Sequence, residues 1–167
     1  NRTDDLYSVG MTPPNPKVFV EHLNVFDCSK VSDGGSAVIV ASEEGLKKLG
    51  VDKKDAIELA GVGISVDDLK RPPDDLTQLP TTRKAVEKAY ESSGLKPSDI
   101  GFLELHDCFT VTALLALEAA CIVKQGEGAD FVREGKTRLD GEFPSNTTGG
   151  LIGFGHPTGG TGVRQAA

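Results

Sequence analysis

The chain has 167 residues, 38% of them hydrophobic, which is enough for one ordinary domain with a buried core. Its 18 lysines and arginines stand against 25 aspartates and glutamates, a formal charge of −7 without any basic block, which argues against nucleic acid or an anionic membrane as partner. No apolar run approaches the about 20 residues needed to cross a bilayer, the polar start Asn1 to Asp5 is no signal peptide, and Cys28, Cys108 and Cys121 form no CxxC pair, so the chain reads as a soluble protein of a reducing compartment.

Residues 1 to 23, with Pro13, Pro14 and Pro16, read as a loop lying on another body. Asp33, Gly34 and Gly35 turn into the segment 36 to 41, where Ala37, Val38, Ile39 and Val40 form the continuous apolar run of a strand buried on both faces. A short connector helix follows, capped by Ser42, with Glu43 and Glu44 in its first turn, Lys47 and Lys48 in its last and Gly50 at its exit. Residues 56 to 66 predict another strand, in which Gly61 and Gly63 permit close approach of a neighbour. After a proline-rich loop to Pro80, residues 81 to 93 predict an amphipathic helix. Ala85, Val86, Ala89 and Tyr90 lie on one face, Lys84, Lys88 and Glu91 on the other, and Gly94 with Leu95 reads as a Schellman stop. A strand over 100 to 106 then hands directly to a helix over 110 to 124, and this alternation predicts an α/β layered fold. The last helix is apolar on all sides, with Glu118 its only charge before Lys124, and so asks to be buried between two sheets.

Two places carry chemistry. At the junction of strand and helix stand His106, Asp107, Cys108 and Phe109, where reactive groups of open α/β sheets collect and where free helix N–H groups face a thiolate. Taken alone, these four residues read first as a packed thiol beside a histidine bound to backbone. Further on, seven of the 20 glycines fall between Gly149 and Gly162, around Gly155, His156 and Pro157. Such a backbone turns sharply and approaches a ligand closely, yet it is neither a Walker loop nor a GxGxxG dinucleotide site. His156, its only titratable group, suits a base or a hydrogen-bond donor. The ligand types of His106, Cys108 and His156 suit a metal, but their spacing is unlike known zinc sites.

Together the two places resemble the thiolase family. The run from Asn146 through Gly149, Gly150, Gly155, His156, Pro157, Gly159 and Gly162 is similar to the NxxGGxxxxGHPxGxxG signature. His106 to Phe109 resembles the HDCF motif of the sterol-carrier-protein type, and residues 27 to 41 resemble the strand that closes the amino-terminal half. The resemblance implies a layered αβαβα fold of two βαβαβ halves. This chain would hold the end of the amino-terminal half over 1–50 and a truncated carboxyl-terminal domain over 51–167.

It also implies a 3-ketoacyl-CoA thiolase of fatty-acid or sterol side-chain metabolism. A nucleophilic cysteine attacks the ketone, the bond between the α and β carbons breaks, and coenzyme A takes the acyl group. His156 would activate that nucleophile, Cys108 would exchange a proton with the acetyl-CoA enolate, and His106 with His156 would hold the enolate oxygen. A thiol is the stronger base that the weakly acidic α-proton of a thioester requires, where a carboxylate falls short. Catalytic residues are thus His106, Cys108 and His156; Cys28, Asp107 and Cys121 read as structural, and Asn146 as a loop-fixing side chain. The resemblance implies no cofactor beyond the coenzyme A thioester substrate and a homo-oligomeric full-length protein, peroxisomal in a eukaryote or cytoplasmic in a bacterium. Asn1 in place of methionine, a helix that has barely begun at Ala167 and the lack of a nucleophile motif at Cys28 lead to the expectation of a fragment inactive alone, whose partner is the amino-terminal half. The alternatives are a thiolase-like aldolase (a lyase) of sterol side-chain CoA esters, against which Cys108 speaks, and a non-catalytic thiolase-like subunit.

Overall fold

The computed structural model describes residue 23 and residues 25–167, so that the expected loop over 1–23 lies, except for its last residue, outside the described residues. The described helices are α1 (Glu43–Leu49), α2 (Pro80–Ser93), α3 (Thr110–Ala119), α4 (Gly128–Arg133), α5 (Gly150–Phe154) and α6 (Thr161–Ala166). Short 3-10 turns stand at Val25–Asp27, Lys53–Asp55 and Pro97–Asp99.

Helix α1 is capped as its sequence predicts. The Ser42 hydroxyl accepts from Gly45 N at 3.1 Å, and the amides of Gly50 and Val51 return to Lys47 O and Leu46 O at 3.2 and 3.0 Å, a full Schellman ending. Helix α2 begins with Pro80 at its first position, where a missing N–H leaves no bond unmade. It ends differently from expectation. Gly94 N reaches Tyr90 O at 2.9 Å, but the Leu95 amide is taken by Ser93 Oγ at 3.2 Å, so only the single-bond ending forms.

Helix α3 stops at Ala119 rather than continuing to Lys124. Cys121 adopts the left-handed conformation with φ 61°, and the amides of Cys121 and Ile122 close a Schellman ending on Glu118 O and Leu117 O at 3.1 and 3.2 Å. The Tyr90 hydroxyl donates to Ala120 O at 3.0 Å, occupying a carbonyl that a longer helix would use. Ile122 and Val123 keep their apolar contacts outside the helix, against a cluster of Leu105, Ala116, Leu117 and Phe143. All residues from Ala116 to Ala120 are buried, whereas Val111 at the other end is 56% exposed. Glu118, 9% exposed, is answered by the backbone amide of Gly128 at 3.0 Å, which fixes the start of α4.

The predicted alternation of extended segment and helix is present, but the sheet is not found among the described residues. Among the described residues pairing is limited to single bridges, Cys28 with Phe109, Val31 with His156 and Leu103 with Ser145. The expected strands over 36–41 and 56–66 have no ladder partner among the described residues, and Ile39 remains 84% exposed. A strand exists only through its neighbours, since its backbone groups bond to an adjacent strand rather than within its own. In the segment 100–106 the ladder begins, with Leu103 N on Pro144 O at 3.1 Å and Asn146 N on Leu103 O at 2.8 Å. It ends because Asn146 turns left-handed, φ 51°, and its side-chain Oδ1 replaces the next backbone carbonyl, accepting Leu105 N at 2.6 Å.

Residues 61 to 64 pack instead on α2. The Val62 amide donates to Ser92 Oγ at 3.2 Å, and Lys88 Nζ donates to Ile64 O at 2.8 Å. A Cβ on Gly61 would lie 2.6 Å from Ala89 O, and one on Gly63 would overlap the Ala85 carbonyl. The close approach that these glycines predict is therefore made to a helix backbone. Gly63→Ala should destabilise the protein by about 1–3 kcal/mol through overpacking, while Gly101→Ala, with nothing within 4 Å of its new Cβ, should stay within about 0.5 kcal/mol. Urea unfolding checks both, and equal midpoints would contradict this packing.

Candidate functional site

The site is built on the extended residues that precede α3. Side chains alternate there, with Leu105 and Asp107 buried while His106 between them is exposed, as the period of two requires. Cys108 follows at the entrance to α3, its sulfur 3.7 Å from Thr112 Oγ1 one turn on. The glycine-rich loop closes over this point. Helix α5 leads through Gly155 to His156, whose ring meets that of His106 edge to face, centroids 5.0 Å apart and planes at 84°.

Asp107 joins the two loops. Its Oδ1 accepts the Leu151 amide at the start of α5 at 2.6 Å, in a position where the residue is 7% exposed. Gly150 makes this contact possible: its φ is 61°, and a Cβ there would overlap the Asp107 carboxylate and lie 2.6 Å from Asn146 Nδ2. A second tie runs through residues 27–32. Thr110 Oγ1 donates to Asp27 Oδ1 at 3.0 Å, Ser29 N to Cys108 O at 2.8 Å, and His156 N to Lys30 O at 3.0 Å. The segment that resembled a closing strand thus touches both candidate loops.

A third tie is polar and outermost. Glu104 accepts from Thr147 Oγ1 at 2.9 Å, Thr148 N at 3.1 Å and Thr148 Oγ1 at 2.9 Å. Arg164 lies over the Phe154 ring at 4.4 Å and donates to Thr148 Oγ1 and Gly150 O at 3.2 and 3.1 Å, and Gln165 Nε2 donates to Leu105 O at 2.6 Å.

His106 titrates below its ordinary range: partial desolvation of the ring disfavours its cation, the neighbouring His156 adds to that, and Asp107 acts in the opposite sense. This lowering favours the neutral imidazole, which has one nitrogen able to donate and one able to accept a hydrogen bond. Among the described residues, no group of three or more His, Cys, Asp or Glu side chains is arranged to hold a metal ion. No disulfide joins Cys28, Cys108 and Cys121. No helix among the described residues is long and apolar enough to cross a membrane.

The structure brings the rings of His106 and His156 together, with Cys108 two residues after His106 and its sulfur beside Thr112; Cys121 lies apart, at the far end of α3. Asn146 fixes the loop as expected. Asp107 has the structural place that the sequence reading gives it, but its bond to Leu151 N and the ties made by residues 27–32 were not foreseen. A signal for the Leu151 bond existed, since the alternation that turns Leu103 and Leu105 inward puts Asp107 on the same face, and a buried carboxyl needs a donor. A cavity of about 430 Å³ lined by Leu105, Asp107, Ala113, Leu114, Val132 and Ile152 adjoins Asp107, but none of the three candidate residues lines it.

Residues 66–167 match the model of the family described as thiolase C-terminal domain-like. The chain is 36% identical over 153 residues to benzoylsuccinyl-CoA thiolase subunit BbsB of Thauera aromatica, covering 92% of this chain and 39% of that protein. It is 36% identical over 168 residues to sterol carrier protein 2 of Homo sapiens, covering 98% of this chain and 30% of that protein. Among solved structures, the Ltp2-ChsH2(DUF35) aldolase superposes with a TM-score of 0.70 at 28% identity, over 88% of this chain and 39% of that one. The chain thus spans well under half the length of these relatives.

The depressed His106 has a measurable consequence. Because folding holds its pKa below 6.5, the unfolded chain takes up the proton first as pH falls. The stability due to this group is complete above about 6.5 and is lost as pH drops through the folded value. Urea midpoints should fall less between about pH 7.5 and 5 in His106→Asn than in the unmodified protein, and superimposable pH profiles would contradict the shift.

Proposed function

The chain belongs to the thiolase C-terminal domain-like family, and on that premise we propose that it forms part of a 3-ketoacyl-CoA thiolase, an acyltransferase that breaks or makes a carbon-carbon bond in acyl-CoA thioesters. One observation carries the reading: two imidazoles 5.0 Å apart, held by loops that also deliver Cys108. A cysteine outside this chain attacks the ketone and becomes acylated as the bond between the α and β carbons breaks. The electron pair passes to the departing acetyl-CoA as its enolate, which Cys108 protonates, and coenzyme A then takes the acyl group. His156 receives the nucleophile's proton, and with His106 it holds the enolate oxygen, where aligned donors weigh most in the transition state.

In this reading the alternation of extended segments and helices belongs to a layered αβαβα fold, with residues 1–50 closing one half and 51–167 opening the other. The exposed apolar run at Val38, Ile39 and Val40 then lies against the amino-terminal half within a homo-oligomer. The substrate is coenzyme A-bound and no further cofactor is needed; the compartment is the peroxisome or the cytoplasm, according to the source. The shape shared with the solved aldolase supports a second reading, a lyase acting on a sterol side-chain CoA ester. A lyase releases its product without coenzyme A as co-substrate, whereas a thiolase requires it.

The chain alone should not release acetyl-CoA from acetoacetyl-CoA, and turnover by the purified chain above a buffer blank would overturn the assignment of the nucleophile. In an enzyme that carries this segment together with that nucleophile, His156→Ala should remove most of kcat, since even one lost oxyanion donor costs about 10²–10³ in rate. His106→Asn should be milder. Near-normal rates in both variants would refute the site.

A further inference from the structure

His156 Nδ1 lies 2.7 Å from Thr161 Oγ1, and the direction of that bond decides which ring nitrogen is a base. A hydroxyl has one proton to give and lone pairs to receive another. Thr161 is 3% exposed, so its hydrogen bonds are made inside the protein. Its Oγ1 is also placed to donate to Pro157 O at 3.1 Å. That carbonyl already accepts Gly160 N and Thr161 N at 2.7 and 2.9 Å, and a threonine hydroxyl sharing the carbonyl four residues back is an ordinary arrangement in a first helical turn.

The two assignments are unequal. If the hydroxyl proton goes to Pro157 O, Oγ1 accepts from Nδ1–H and serves in both of its capacities. If it goes instead to Nδ1, the acceptor capacity of a buried oxygen is unused and the ring proton moves to Nε2, for which no hydrogen bond among the described residues supplies an acceptor. The ring has little freedom to escape the choice, because its backbone amide is tied to Lys30 O at 3.0 Å and its face or edge meets His106. The branched side chain of threonine further restricts where Oγ1 can point.

We propose that Thr161 is a positioning residue that holds His156 as the Nδ1–H tautomer, leaving Nε2 as the nitrogen that takes up a proton. This deepens the reading of His156 as the base that activates the nucleophile and rests on it for its catalytic meaning. The tautomer itself is a property of this chain and is measured without substrate.

The test is a long-range ¹H–¹⁵N correlation spectrum of the imidazoles in the ¹⁵N-labelled chain, recorded at alkaline pH. Nδ1 should be protonated and Nε2 bare. Thr161→Ser should keep that preference, and Thr161→Val should weaken it by roughly three- to tenfold in tautomer ratio, the factor supplied by one net hydrogen bond. A wild-type His156 protonated at Nε2, or a Thr161→Val ratio equal to wild type, would overturn the proposal. Where Thr161→Val does not fold, the wild-type spectrum decides by itself. Loss of activity in His156→Ala with an Nε2–H wild type would refute the tautomer and leave the thiolase reading standing; the reverse pair of results would do the opposite.

Discussion

The bond from Leu151 N to Asp107 Oδ1, 2.6 Å long and buried, is the constraint on which the rest of the site depends. Asp107 stands between His106 and Cys108, and Leu151 stands five residues before His156, so one carboxyl sets the distance between the two candidate loops. A carboxyl removed from water must be satisfied by hydrogen bonds, and leaving its partner group unmet costs about 1–3 kcal/mol. That cost ties the geometry of the chemistry to the stability of the fold. Gly150 is a condition of the same contact, because no other residue leaves room for the Asp107 carboxylate at φ 61°.

Around that bond the protein spends backbone rather than side chains. The segment 27–32 reaches Cys108 through Ser29 N and His156 through Lys30 O, so neither tie depends on the identity of the side chain that makes it. The outer network of Glu104, Thr147, Thr148 and Arg164 repeats the connection in polar form. Three layers of ties thus converge on the loops that carry the edge-to-face pair of His106 and His156.

Much of this was legible in the sequence. Capping residues identified α1, the period of 3.6 identified α2, and the pattern of HDCF with the glycine-rich run singled out as candidates His106 and His156, whose rings meet, and Cys108. What was illegible depended on pairing between distant segments. The apolar runs at 37–40 and 57–66 carry the composition of strands, but a ladder is a property of two segments and not of one. The end of α3 was misplaced for a similar reason: nothing near Cys121 announces a left-handed residue, and the carbonyl that stops the helix is claimed by Tyr90 from α2. The ties through Asp107, Ser29 and Lys30 were hidden because two of them use backbone atoms, which every residue possesses.

The central claim is that Asp107 holds the two candidate loops in register, and nuclear Overhauser effects between the His106 and His156 ring protons test it most directly. The account predicts such cross-peaks in the unmodified chain, as centroids 5.0 Å apart require, and their loss in Asp107→Ala while the amides of α2 remain protected from exchange. Absence of the cross-peaks in the unmodified chain, or their survival unchanged in Asp107→Ala, would contradict it.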